Sequence, residues 1–201
     1  MTSGLVYILR SLMDLYLITF ALRLVMQWVR ADFRNPIVRF VLTVTNPLVN
    51  PLRKFLAPVG KLDLATAVVY LLLLWIFSSV MVNIVCQPAP DILSMLALAV
   101  IRGIRLLLSI YLFLVIGYVL LSWITMGAQG GAYNPSLAAL SNLLSELVRP
   151  ILTPFRKFIP LIGGLDLSPI ALLLVIGALK EVLVSFAAPF GNLGCPVMAF
   201  I

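Results

Sequence analysis

Four long apolar runs constrain the fold of this chain more than any other feature. They lie at residues 5–29, 64–86, 106–124 and 168–188. A helix needs about 20 mainly apolar residues to cross a bilayer, because each residue advances it by about 1.5 Å. The sequence therefore predicts an all-α membrane protein with four transmembrane helices. Residues 92–101 are also apolar, and they either extend the third helix or lie along the membrane surface.

Composition excludes an ordinary water-soluble domain. Hydrophobic residues make up 63% of the 201 positions and charged residues 10%, whereas soluble domains average about 45–50% apolar and about 25% charged residues. A net charge of +7 would suggest nucleic-acid binding in a soluble protein. Here the positive charges lie in short loops, so we expect contact with anionic lipid headgroups and no nucleic-acid partner.

The chain lacks the side chains of most catalytic and metal sites. It has no histidine, and its two cysteines, Cys86 and Cys195, lie far apart in the sequence. Two distant cysteines are too few for a zinc or iron–sulfur site. We therefore expect no enzymatic activity, no cofactor and no metal. Both cysteines are predicted on the outer side of the membrane, where they form either a disulfide or two free buried thiols.

The sequence contains an internal duplication. PLVNPLRKFLAPVGKLDL at residues 47–64 aligns with PILTPFRKFIPLIGGLDL at 150–167, and nine of the 18 positions are identical. The duplication predicts two tandem hairpin repeats, residues 1–90 and 91–201. Because each repeat contains two spanning helices, both face the same way, unlike the inverted repeats of many transporters.

Basic residues predict how the chain is oriented in the membrane. The central connection has only Arg102 and Arg105, at or inside its helix, and the C-terminal tail has none, whereas the first hairpin loop carries six basic residues and the second three. In order they are Arg30, Arg34, Arg39, Arg53, Lys54 and Lys61, then Arg149, Arg156 and Lys157. Since positive loops stay inside the cell, we expect both hairpin loops in the cytoplasm and both termini outside. The membrane that the chain spans is expected to be the cell inner membrane.

Each hairpin loop is predicted to form short amphipathic helices at the membrane interface. Asn35-Pro36, Asn46-Pro47 and Asn134-Pro135 each resemble a helix start, with asparagine as the cap and proline in the first turn. Apolar residues then recur at helical spacing opposite polar ones. Such helices either lie among the lipid headgroups or pack over the ends of the spanning helices.

The duplicated motif is Pro-x-x-x-Pro-x-Arg-Lys-Phe followed by Gly-x-Leu-Asp-Leu. Its prolines are expected to break helices and set turns. Asp63 and Asp166 suit helix N-caps in front of the second and fourth spanning helices. Four basic residues form either a lipid anchor or a docking face for a partner protein. These four are Arg53, Lys54, Arg156 and Lys157.

With Trp28 and Trp123 near helix ends, this doubled pattern resembles the YggT family of integral membrane proteins. The resemblance implies no enzymatic activity. It implies an organising or assembly role at the membrane, since family members are associated with cell division, with osmotic stress tolerance and, in plastids, with nucleoid distribution and assembly of a cytochrome complex. The two copies differ where Arg23 aligns with Tyr118 and Lys61 with Gly164.

Charged residues also lie inside the predicted spans, where each costs roughly 2.5–3.5 kcal/mol and needs a partner. Arg10 and Asp14 share a face of the first helix, and Lys180 and Glu181 lie at matching depths in the fourth. We therefore predict that these helices touch, with ion pairs from Asp14 to Lys180 and from Arg10 to Glu181, within one chain or between protomers.

Two functions remain open. One is a non-enzymatic scaffold that binds lipids or other membrane, division or assembly proteins, alone or as a homo-oligomer. The other is a small ion transporter or channel component that uses the charges within the membrane.

Overall fold

The computed structural model describes residues 2–58, 60, 63–85, 91–127, 135–159 and 166–191, and these form six helices without a strand. The helices are α1 (Thr2–Val29), α2 (Pro36–Arg53), α3 (Leu64–Val85), α4 (Ile92–Gly127), α5 (Pro135–Phe158) and α6 (Ser168–Gly191). Among them, α1, α3, α4 and α6 are long and apolar enough to cross a membrane. The prediction of an all-α protein with four transmembrane helices is therefore confirmed.

The third spanning helix is longer than the predicted core at residues 106–124. Helix α4 has 36 residues, which makes it roughly 54 Å long at about 1.5 Å per residue. Residues 92–101 thus extend this helix and do not form a separate surface segment. Because a bilayer core is about 30 Å thick, α4 must tilt or project beyond it.

Helices α2 and α5 are amphipathic and pack against the spanning helices. The buried side chains of each recur every three or four residues, as one helical face requires. They are Val38, Val41, Thr45 and Val49 in α2 and Leu143, Leu144, Leu147, Val148 and Leu152 in α5. Helix α2 lies against α1 and α3, and α5 lies against α4 and α6.

The prolines of the repeated motif do not break these helices. Pro47 and Pro51 lie inside α2, and Pro150 and Pro154 lie inside α5. The prediction that they end helices is wrong, and so is the prediction of a helix start at Asn46. Each proline removes one backbone hydrogen bond. The apolar face continues through them, since Val49 and Leu152 are almost fully buried, and this packing keeps the helix continuous.

The two halves of the chain share one apolar interior. Helix α1 contacts α4 and α5 as well as α2 and α3. Val25 and Met26 of α1 pack in the same cluster as Leu143 and Leu147 of α5. Helix α1 is therefore in direct contact with both α4 and α5.

Helices α3 and α4 approach closely at Gly103. The Tyr70 hydroxyl donates to the Gly103 carbonyl at 3.0 Å. A methyl group at Gly103 would lie 2.5 Å from Cδ1 of Leu74, which is fully buried. The absence of a side chain at residue 103 is what permits this approach.

We expect Gly103→Ala to lower the free energy of unfolding by about 1–3 kcal/mol, the usual cost of overpacking. Unfolding can be followed by circular dichroism while the detergent-solubilised protein is titrated with SDS. Gly117→Ala on the same helix is the matched control, because its new methyl would make an ordinary contact at 3.4 Å. Equal stability of the two variants would contradict the prediction.

Candidate functional site at the ends of the amphipathic helices

Near the end of each amphipathic helix, an arginine pairs with the aspartate in front of the next spanning helix. Arg53 of α2 pairs with Asp63, and Nε of Arg156 in α5 lies 2.8 Å from Oδ2 of Asp166. The sequence predicted lipid or partner contact for the arginines and helix capping for the aspartates. The structure adds that the two halves of the repeated motif lie together.

In the first copy, the aspartate is at the centre of a buried polar network. Asp63 is 7% exposed, and its Oδ2 accepts hydrogen bonds from Arg53, from Gln27 at 3.1 Å and from Thr66 at 2.9 Å. Burial by itself would raise the pKa of the Asp63 carboxyl. The hydrogen bonds from Arg53, Thr66 and Gln27 outweigh burial and hold that pKa below its usual value. The group is therefore a carboxylate at neutral pH.

Arg23 of α1 belongs to the same region and is fully buried. Its Nη1 donates to Oγ1 of Thr45 at 2.5 Å and to Oδ1 of Asn46 at 3.0 Å, both on α2. Gln27, one turn further along α1, bonds to Asp63. Hydrogen bonds thus join α1, α2 and the start of α3, and the asparagine predicted to start a helix serves here as an acceptor.

The second copy keeps the ion pair but has a smaller network. Tyr118 replaces Arg23, and its hydroxyl accepts from Nη2 of Arg156 at 3.2 Å. Oδ1 of Asp166 accepts the backbone N–H of Ser168 at 3.0 Å. Burial alone would raise the pKa of Asp166, but the hydrogen bonds from Ser168 and Arg156 hold it below its usual value. Its side chain is 26% exposed, so this pair lies nearer the surface.

A lysine and a phenylalanine follow each paired arginine and point outward. Lys54 and Lys157 are exposed, and Phe55 and Phe158 are 87% and 86% exposed. An exposed aromatic ring beside an ammonium group suits a membrane interface or a protein contact. We call residues 53–55 the basic end of α2 and residues 156–158 the basic end of α5.

Helices α2 and α5 also meet each other near the start of α2. Asn35 caps α2 by accepting the N–H of Ile37 at 3.0 Å, and its Nδ2 donates to the carbonyl of Ala139 on α5 at 2.9 Å. A polar cleft of about 440 Å³ lies beside this contact, with Arg34 and Arg149 in its wall. The predicted cap Asn134 and both cysteines, Cys86 and Cys195, lie outside the described residues.

The charges within the spanning helices pair differently from the prediction. Asp14 of α1 forms an ion pair with Arg102 of α4, and Arg102 also donates to Oγ of Ser78 on α3 at 3.1 Å. The predicted ion pair of Asp14 with Lys180 is therefore wrong within one chain, and the alternative pairing between protomers stays a prediction. The physical reason is the length of α4, which carries Arg102 into the helix bundle and not into the connection where the sequence analysis placed it.

The other charged residues of the predicted ion pairs are Arg10 on α1 and Lys180 and Glu181 on α6. Nε of Arg10 lies 3.6 Å from Oδ2 of Asp14, one turn away on the same helix, so within one chain Arg10 pairs with Asp14 and not with Glu181. Helix α6 packs against α4 and α5. On it, Lys180 is half-buried and Glu181 is exposed.

Comparison with known families matches the chain in two separate segments. The CCB3/YggT family model matches residues 2–85 and 97–187. The chain belongs to the CCB3/YggT family. The first matched segment contains α1, α2 and α3, and the second contains α5 with most of α4 and α6.

Relatives of this YggT-family chain include both bacterial and plastid proteins. Uncharacterized protein PA0392 of Pseudomonas aeruginosa is 36% identical over 171 residues, which cover 85% of this chain and 83% of the relative. Uncharacterized protein YggT of Escherichia coli strain K12 is 28% identical and covers 96% of both chains. The chloroplastic YlmG homolog protein 2 of Arabidopsis thaliana is 38% identical over 85 residues, or 42% of this chain and 30% of the relative. No solved structure matches the chain.

Sequence reasoning missed two residues of this YggT-family structure. Arg23 was noted only as a difference between the copies, although it lies six residues inside the end of the first span, roughly 9 Å deep. A guanidinium at that depth requires a polar partner, which was the available signal. Arg102 was assigned to a connection, and only the continuity of α4 reveals its role.

Proposed function

We propose that this YggT-family protein is a non-enzymatic scaffold or assembly factor of the cell inner membrane. In this proposal the hairpin loops are cytoplasmic, and the basic ends of α2 and α5 contact anionic lipid headgroups and partner proteins. The observation that supports it most is the repeated basic end, in which the arginine is tied to an aspartate while Lys54 and Lys157 stay exposed. The family resemblance suggests cell division or osmotic stress tolerance as the setting.

The ion pairs make the basic ends suitable for docking. Arg53 joins the end of α2 to Asp63 at the start of α3, and Arg156 joins α5 to Asp166 in the same way. A side chain held on an anchored helix loses little freedom when it binds a partner. Phe55 and Phe158 would add apolar contact area beside each lysine.

The alternative, a small ion transporter or channel component, rests on charges within the membrane. One of these charges is Asp14, a carboxylate that could line an ion path. Asp14 already pairs with Arg102 and Arg10 inside the bundle. This arrangement favours a structural role for the carboxylate, and therefore favours the scaffold.

Photo-crosslinking in living cells tests the scaffold proposal. A photoreactive amino acid in place of Phe55 or Phe158 should give discrete protein adducts, and Lys54→Glu with Lys157→Glu should reduce them. The matched control is Phe113, which is 71% exposed on the spanning helix α4 and should give no protein adduct of the same size.

Adducts that are equal at residues 55, 158 and 113, or absent from all three, would contradict docking at the basic ends. Ion flux through the protein in liposomes, abolished by Asp14→Asn, would favour the transporter instead. A membrane-impermeant thiol reagent that labels cysteine at residue 54 from outside intact cells would overturn the orientation on which the proposal depends.

A further inference from the structure

Helix α6 carries two adjacent charges deep within its membrane span. Lys180 and Glu181 lie 12 and 13 residues after Ser168, or roughly 18–20 Å along the helix, within the span Ser168–Ala187. Among the described residues, neither side chain forms an ion pair. All seven acidic residues are described, and Lys61 is the single charged side chain that is not. The described part of the chain therefore gives Lys180 and Glu181 no ion-pair partner within the membrane.

The two charges cannot neutralise each other on one helix. Neighbouring residues on a helix point about 100° apart, so side chains at i and i+1 do not face each other. Charged groups within a bilayer normally face a partner or a water-filled cavity. Glu181 is exposed on the outer surface of α6, which points to a partner outside the chain.

We propose that this partner is a second copy of the same chain, bound through α6 around a twofold axis along the membrane normal. Such an axis keeps every residue at its own depth. When the two α6 helices face each other across this axis, the left side of one helix lies opposite the right side of the other. A side chain on the left of one copy therefore meets the side chain that the second copy carries on its right. Lys180 of each copy then meets Glu181 of the other, and the surface is self-complementary, as a twofold interface requires.

The surface between the two charges is open for a close approach. Gly177 lies one turn before Glu181, and a methyl group placed there would meet no atom within 4 Å. Ala178 and Ser185 are also exposed, but they lie beyond Glu181 on the helix surface and not between the two charges. Small residues let two membrane helices approach closely, which shortens the distance between charges. The charge pattern, and not the small residues, selects a second copy, because it supplies both opposite charges at the matching depth.

Charge reversal tests this interface. Lys180→Glu and Glu181→Lys each place like charges opposite each other in a homodimer. Each variant should therefore lose self-association by about a hundredfold or more, measured by native mass spectrometry and by co-purification of two differently tagged chains from nanodiscs. The double variant Lys180→Glu/Glu181→Lys should dimerise again. When the two single variants are expressed together, they should form heterodimers.

Arg39→Glu, on the exposed face of α2, makes the same change of charge away from this surface and should leave the dimer intact. Recovery in the mixed and double variants separates loss of the interface from loss of folding, because a misfolded chain does not recover by mixing. Wild-type protein that stays monomeric in nanodiscs would overturn the proposal. Dimers that persist in both single variants would also overturn it.

Discussion

Arg102→Met should lower the free energy of unfolding by about 3–5 kcal/mol, the usual cost of removing one partner from a buried ion pair. The Arg102 side chain is 4% exposed and pairs with Asp14 while it donates to Ser78. Methionine fills much of the space but leaves the carboxylate with the more distant Arg10, at 3.6 Å. The loss can be measured by SDS titration in detergent, monitored by circular dichroism.

A double-mutant cycle makes this prediction specific. Arg102→Met and Asp14→Leu should be non-additive, since the second substitution removes the charge that the first leaves unpaired. Lys180→Met is the matched control because it also removes one basic side chain from a spanning helix, and its effect should add to that of Asp14→Leu. Additive losses at Asp14 and Arg102 would show that the ion pair does not carry the stability.

Asp63→Ala should cost about 3–5 kcal/mol. The substitution removes the one acceptor shared by Arg53, Gln27 and Thr66, and leaves three donors without it at a buried position. It also removes a negative charge that acts on the buried guanidinium of Arg23. The midpoint of SDS unfolding measures the loss.

The duplication supplies the control for this experiment. Asp166 occupies the same place in the second repeat but is 26% exposed, and solvent screens its ion pair with Arg156. We expect Asp166→Ala to cost about 1 kcal/mol or less, as for exposed pairs. If both variants lose equal stability, the buried network around Asp63 has no special role.

The variant Arg23→Leu also distinguishes the two networks, since the second repeat has Tyr118 at the position of Arg23.

The sequence identified six residues of the candidate site, namely Arg53, Lys54, Asp63, Arg156, Lys157 and Asp166. It did not identify their pairing, because the interval of ten residues between each arginine and aspartate is not a regular helical spacing.

The sequence by itself determined the number of spanning helices and the apolar core of each, the amphipathic character of α2 and α5, and the family. Each of these depends on hydropathy, periodicity or repetition, which are properties of neighbouring residues along the chain. The sequence was also sufficient to place Asn35 at the start of α2, since an asparagine followed by proline favours that position locally.

Only the tertiary structure decided which charges meet and which prolines are tolerated. Asp14 pairs with Arg102 and not with Lys180 because partner choice depends on how each helix is rotated and which helix lies beside it. Pro47 stays inside α2 because packing against other helices stabilises the turn that proline weakens. Both outcomes depend on contacts between segments far apart in sequence, so no local sequence pattern predicts them.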